Sequence, residues 1–157
     1  MTPTPAIVVY DASDAAIARV AEAFAAHLTT PEPAMLVDAT QGHQPPWDDV
    51  RLLVVGTPTV DRRPSPAILA WLDAAAAPSR RLAVATFDTR PHGGWIRVGN
   101  GAGKVGRQLE RAGFLPNMGT ETFYLDRVGG ELEEGQIERA RTWAVGLGIA
   151  TGIRAGS

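Results

Sequence analysis

The chain has 157 residues, 45% of them apolar and 20% charged, which suits one folded domain with a substantial core. A net charge of −2 argues against a nucleic-acid binder or a polybasic membrane protein, and no apolar run has the length needed to span a bilayer. The lack of cysteine excludes disulfides, thiol nucleophiles, iron–sulfur clusters and cysteine-based zinc sites.

The first residues, Met1-Thr2-Pro3-Thr4-Pro5, carry no positive stretch ahead of an apolar one, so the expected location is the cytoplasm. Ala6-Ile7-Val8-Val9-Tyr10 is a continuous apolar, partly β-branched run, as a strand buried on both faces should be. Over residues 15–28 the period changes, and Ile17, Val20, Ala21, Phe24 and Leu28 fall on one helical stripe. His27 near its end reads as a surface residue favoured by the helix dipole. A second strand is expected over residues 34–38, after Pro31 and Pro33. Residues 39–50 contain Pro45-Pro46 and little periodicity, so at most one helical turn fits there. Trp47 in that stretch should pack the loop onto the sheet. His43, with Asp48 and Asp49 nearby, lacks metal-ligand spacing, and no metal site is expected.

Leu52-Leu53-Val54-Val55-Gly56 is the clearest strand. Ser65 then caps a helix that Pro66 opens, with Ile68, Trp71, Leu72 and Ala75 facing inward. A fourth strand is expected over 82–87, a helix over about 100–112 stopped by Gly113, a fifth strand over 122–125 and a last helix over about 132–147. Trp143 neighbours the stripe of that last helix and should pack. The expected organisation is one domain over residues 1–148 and a frayed tail over 149–157.

Strands alternating with helices imply a parallel sheet covered on both faces. Five strands suit a doubly wound α/β fold of order 2-1-3-4-5, whose ligand crevice opens at the strands' carboxyl ends beside strands 1 and 3.

Specific residues extend this reading. Val8-Val9-Tyr10-Asp11 leading to Ala21-Glu22-Ala23-Phe24-Ala25 resembles the first strand and helix of flavodoxins, and Leu53-Val54-Val55-Gly56-Thr57-Pro58-Thr59 resembles their third strand and loop. Arg63-Pro64-Ser65-Pro66 is similar to the next helix start in related bacterial flavodoxin-domain proteins. Phe87-Asp88-Thr89-Arg90, Ala112-Gly113-Phe114 and Gly135-Gln136-Ile137-Glu138-Arg139-Ala140 continue the resemblance. A phosphorylatable receiver domain would end strand 3 in aspartate, and here it ends in Gly56-Thr57.

The resemblance implies a flavodoxin-like fold, flavin mononucleotide (FMN) as cofactor and electron transfer as activity. It places the phosphate loop at Asp11, Ala12, Ser13, Asp14, Ala15, Ala16 and Ile17, and the ring loops at Thr57, Pro58, Thr59 and at Asp88, Thr89, Trp95. The family's phosphate loop is rich in Ser and Thr around a Gly. In this chain Ala15 stands at the Gly position, Ala16 at a polar one and Ile17 at a Thr, while Asp14 adds negative charge. Ser13 or Asp14 is then expected to cap the helix with its own side chain. Two readings follow: a domain in which FMN binding is weak or lost and the crevice takes another ligand or a protein partner, or a working FMN electron carrier or flavin oxidoreductase with an altered loop.

Gly101-Ala102-Gly103-Lys104-Val105-Gly106 satisfies G-x-G-x-x-G, but it follows strand 4 only after a loop, so it reads as a glycine-rich helix entrance. No G-x-S-x-G elbow, Ser–His–Asp set or carboxylate dyad can be nominated, and no catalytic residue is assigned. Arg62, Arg63, Arg90 and Arg97 lie in loops after strands 3 and 4 and are expected to form an electropositive rim. Such a rim suits an anionic small molecule or an acidic or redox protein partner.

Overall fold

The computed structural model describes residues 5–28, 33–78, 81–92 and 101–153. The five strands are β1 (Ala6–Tyr10), β2 (Met35–Asp38), β3 (Leu52–Pro58), β4 (Ala83–Pro91) and β5 (Asn117–Leu125), and the helices are α1 (Ala15–His27), α2 (Pro66–Ala74), α3 (Gly101–Arg111) and α4 (Gln136–Ala150). All strand pairs are parallel and the order is β2-β1-β3-β4-β5, as the alternation of strand and helix patterns predicts. Among the described residues, no helix is long and apolar enough to cross a membrane.

Side chains alternate across the pleat, so each central strand feeds two cores. Val8, Val54, Ala85 and Phe87 face one side, where Ile17, Val20, Ala21 and Phe24 of α1 meet Ala140, Ala144 and Leu147 of α4. Trp143 joins this layer as expected, with its ring 5.2 Å from Phe24 and 6.0 Å from Phe123. Ile7, Val9, Leu53, Val55 and Val84 face the other side, under Ile68, Trp71 and Leu72 of α2 and Val105 and Leu109 of α3.

The crossover from β2 to β3 has no full helix, only a 3₁₀ turn over Ala39–Gln41. Trp47 occupies the space a helix would take, with ring centroids 6.4 Å from Trp71 and 5.6 Å from Phe114. His43 contributes its backbone carbonyl, which accepts from Trp71 Nε1 at 3.0 Å.

Several boundaries differ from the sequence expectation. β4 continues to Pro91, because Asp88 and Thr89 are buried in register with β5. β5 begins at Asn117, five residues before the expected 122. It is an edge strand, and its polar first half carries no alternation to read. α4 begins at Gln136, because Leu132 bridges back to Leu125 and Gly135, at φ 86°, turns the chain into the helix. The helix continues to Ala150, past the expected end near 147, and Ile153 is buried.

The β5 edge is dressed by residues of α4 and of the loop that leads into it. Tyr124 N–H donates to Gln136 Oε1 at 3.0 Å, Tyr124 O accepts from Glu133 N–H at 2.9 Å, and Thr122 O accepts from Arg139 Nη1 at 3.0 Å.

Gly56, at the centre of the sheet, pairs in register with Phe87, and a Cβ at this glycine would overlap the Phe87 ring. That ring is held by Phe123 and Trp143 at 5.9 and 6.1 Å, so it has nowhere to yield. Gly56→Ala is therefore expected to destabilise the chain by about 1–3 kcal/mol, read as a lowered urea midpoint.

Candidate functional site

The carboxyl ends of β1, β3, β4 and β5 enclose a cavity of about 370 Å³, lined on the β1 side by Asp14, Ala15 and Ala16 and on the β3 side by Pro58, Thr59, Val60 and Asp61. Thr89, Pro91 and the loop after β5 close it. The crevice thus opens where the doubly wound order reverses.

The first loop is organised by carboxylates. Asp14 is the N-cap of α1, and its Oδ1 accepts from Ile17 N–H at 2.9 Å. Asp11, nearly buried, accepts from the Ser13 N–H at 3.0 Å and from the Ser13 hydroxyl. Asp38, at the end of β2, takes the Ala12 N–H together with the hydroxyl and N–H of Thr40 and the Gln41 side chain. Burial works to raise the Asp38 pKa, but these donors outweigh it and hold the carboxyl below its usual range. Ala15 and Ala16 line the cavity, and their amides take no acceptor among the described residues.

Behind Thr59 of the cavity wall lies a second polar network. Asp88 is fully buried at the heart of β4. Its Oδ2 accepts from Thr59 Oγ1 at 2.8 Å and Ala102 N–H at 3.3 Å, and its Oδ1 accepts from Thr122 Oγ1 at 2.7 Å. Thr59 Oγ1 in turn accepts from Gly101 N–H at 2.9 Å. A carboxylate so placed at the amino end of α3 also complements the helix dipole. The first glycine of the G-x-G-x-x-G run is explained by this approach, because a Cβ at Gly101 would come within 2.8 Å of Thr59 Oγ1.

Thr57 accepts from Ser65 N–H at 2.9 Å, which seats α2. Ser65 stands at the N-cap position, as expected, but its side chain makes no capping bond. Thr89 is 1% exposed, lines the cavity, and its hydroxyl has no hydrogen-bond partner among the described residues.

Arg62 and Arg63 sit on the loop after β3, where Asp61 and Arg62 adopt φ of 51° and 66° between the reciprocal bonds of Val60 and Arg63. Arg63 opens onto a groove with Lys104, Arg107 and Arg111, which sequence reasoning did not group with it. Arg90 is half-buried on β4 and lines neither this groove nor the cavity. Trp95 and Arg97, expected as ring-stacking partner and rim residue, lie outside the described residues.

No known family profile matches the chain, and no curated protein does. Solved structures do. A WrbA-like flavodoxin from Agrobacterium tumefaciens superposes with a TM-score of 0.70 at 17% identity, over 96% of this chain and 98% of that one. A flavodoxin from the Archaea gives 0.67 at 11% identity, over 94% and 98%. General stress protein 14 from Treponema denticola, solved in complex with FMN, gives 0.59 at 16% identity, over 95% and 99%. The chain has a flavodoxin-like fold.

The polar networks lead to two expected outcomes. Asp88→Ala leaves the Thr122 hydroxyl and the Ala102 amide without their acceptor and should cost about 2–4 kcal/mol, measured by urea unfolding. Asp38, depressed from its ordinary 3.8, contributes stability that is complete above that value and is lost as the pH falls through its folded-state pKa. Below about pH 4, wild type should therefore lose stability more steeply than Asp38→Asn.

Proposed function

We propose that this chain is a flavodoxin-fold binding protein whose crevice takes a ligand other than FMN, and that FMN binds weakly or not at all. The observation that carries this reading is the occupied first loop. Carboxylates of Asp11, Asp14 and Asp38 hold the amides of Ala12, Ser13 and Ile17 and the Ser13 hydroxyl, the donors a phosphate dianion would need. Two of those carboxylates lie in the loop itself, so a dianion there meets like charge instead of a cradle. Ala16 and Ile17 bring no side-chain donor to compensate. The free amides of Ala15 and Ala16 and the lone hydroxyl of Thr89 suit a neutral hydrogen-bond acceptor on the ligand instead.

Hydrogen bonds to a charged group contribute about 1.5–3 kcal/mol each, so the absence of two amounts to about 3–6 kcal/mol. That corresponds to roughly two to four orders of magnitude in affinity.

The second reading, an FMN electron carrier, is favoured by the fold, which resembles that of a protein solved with FMN. Flavin-fluorescence titrations with FMN and with riboflavin separate the two. Under the proposal, wild type shows no preference for the phosphorylated flavin, while Ala15→Gly/Ala16→Asn/Ile17→Thr gains affinity for FMN but not for riboflavin. Tight FMN binding by wild type with a strong preference over riboflavin would favour the second reading, and no gain in the triple variant would overturn this account of the loop.

A further inference from the structure

A different surface gathers basic side chains. α3 presents Lys104, Arg107, Gln108 and Arg111 at helical spacings of three, four and seven, on the face opposite its buried residues. Arg63, Pro64 and Leu69 from the β3–α2 loop and α2 form the facing wall, and together they enclose a groove of about 320 Å³. The acids on these two helices are Asp73 and Glu110; neither lines the groove, although Asp73 bonds to Gln108, which does. Asp73 accepts from Gln108 Nε2 at 3.4 Å and Glu110 from Asn117 Nδ2 at 2.6 Å. Among the described residues, none of Arg63, Arg107 and Arg111 forms an ion pair. Four cations thus line one groove on a chain whose net charge is −2.

Gathering unpaired like charges is unfavourable for the isolated chain, by about 1 kcal/mol for a pair 4 Å apart in water. Complementary charge on a partner reverses that sign and steers its approach. We propose that this groove docks an acidic segment of a protein partner. Its carboxylates would spread along the α3 stripe, and an apolar side chain would rest on Pro64 and on Leu69, which is 36% exposed.

The shape of the charge selects this occupant. From Lys104 to Arg111 the stripe extends about 10 Å along the helix, too spread to converge on one small anion. Among the described residues, no aromatic side chain lines the groove for base stacking, which single-stranded nucleic-acid sites rely on. Repulsion from the rest of an acidic chain acts on a long polyanion but is screened beyond about 8 Å for a short segment.

The groove also adjoins the crevice. Lys104 Nζ donates to Arg62 O at 2.6 Å, and Arg62 shares its tight turn with Asp61, which lines the cavity. A partner docked on α3 therefore sits beside the crevice mouth. The proposal does not depend on which ligand the crevice takes.

The test is fluorescence anisotropy of the full chain, without flavin, using a fluorescein-labelled peptide of alternating Glu-Glu and Leu. Wild type should bind it in a salt-sensitive manner. Arg107→Glu/Arg111→Glu, which changes two exposed side chains, should weaken binding about tenfold or more, and circular dichroism checks that the variant is folded. Arg19→Glu, on an exposed site of α1, should leave it unchanged. The proposal is overturned if wild type fails to bind or if the charge reversal has no effect. It is also overturned if inorganic phosphate displaces the peptide at equal charge concentration, or if a thymidine oligonucleotide binds the groove more tightly than the peptide.

Discussion

A carboxylate buried within a central strand must be bonded on every side or it would not remain there, and Asp88 meets that demand by drawing in three separate segments. Thr59 comes from the loop after β3, Thr122 from β5 and the Ala102 amide from the start of α3. The position of α3 against the sheet, the path of the β3–α2 loop and the length of β4 all answer to this one group. Because the Thr59 loop also walls the crevice, the network that secures the fold shapes the cavity as well. The basic groove lies one layer outward on the same scaffold, since α3 can present Lys104, Arg107 and Arg111 only in the orientation that its amino end is given.

Both networks use carboxylates to satisfy backbone amides, with opposite consequences. At α3 the carboxylate comes from a strand and ties the helix to the sheet. At α1 it comes from the loop's own Asp14 and consumes donors that would otherwise be offered outward. An N-cap stabilises its helix by about 1 kcal/mol. The same bond makes the helix end a poorer host for an external anion.

Much of the fold was legible because β1, β3 and the inner part of β4 are apolar on both faces and α1 has a clean stripe. The parallel order followed from alternation alone. The parts that stayed hidden depend on tertiary partners. The first half of β5 is polar edge strand, and Leu132 has the residue type of a helix face yet bridges to Leu125. Asp88 and Thr59 were legible as loop residues of a resembling family, but their bond to each other spans distant positions that no local pattern connects. The cap of α1 was readable only as Ser13 or Asp14, and it is Asp14. The grouping of Arg63 with the α3 cations was not readable, because it joins a loop and two helices through packing.

The dressing of β5 bears on behaviour in concentrated solution. A nine-residue strand at the rim of a sheet ordinarily offers its outward amides and carbonyls to any passing extended chain, the first step of fibril growth. In this chain Gln136, Glu133 and Arg139 already occupy bonding groups of Thr122 and Tyr124. Gly119, at φ 119°, breaks the flat run nearer its start. The helix that closes the fold thus also acts as a guard on its open margin, and local melting of α4 would expose a seam along which copies of the chain could zip together.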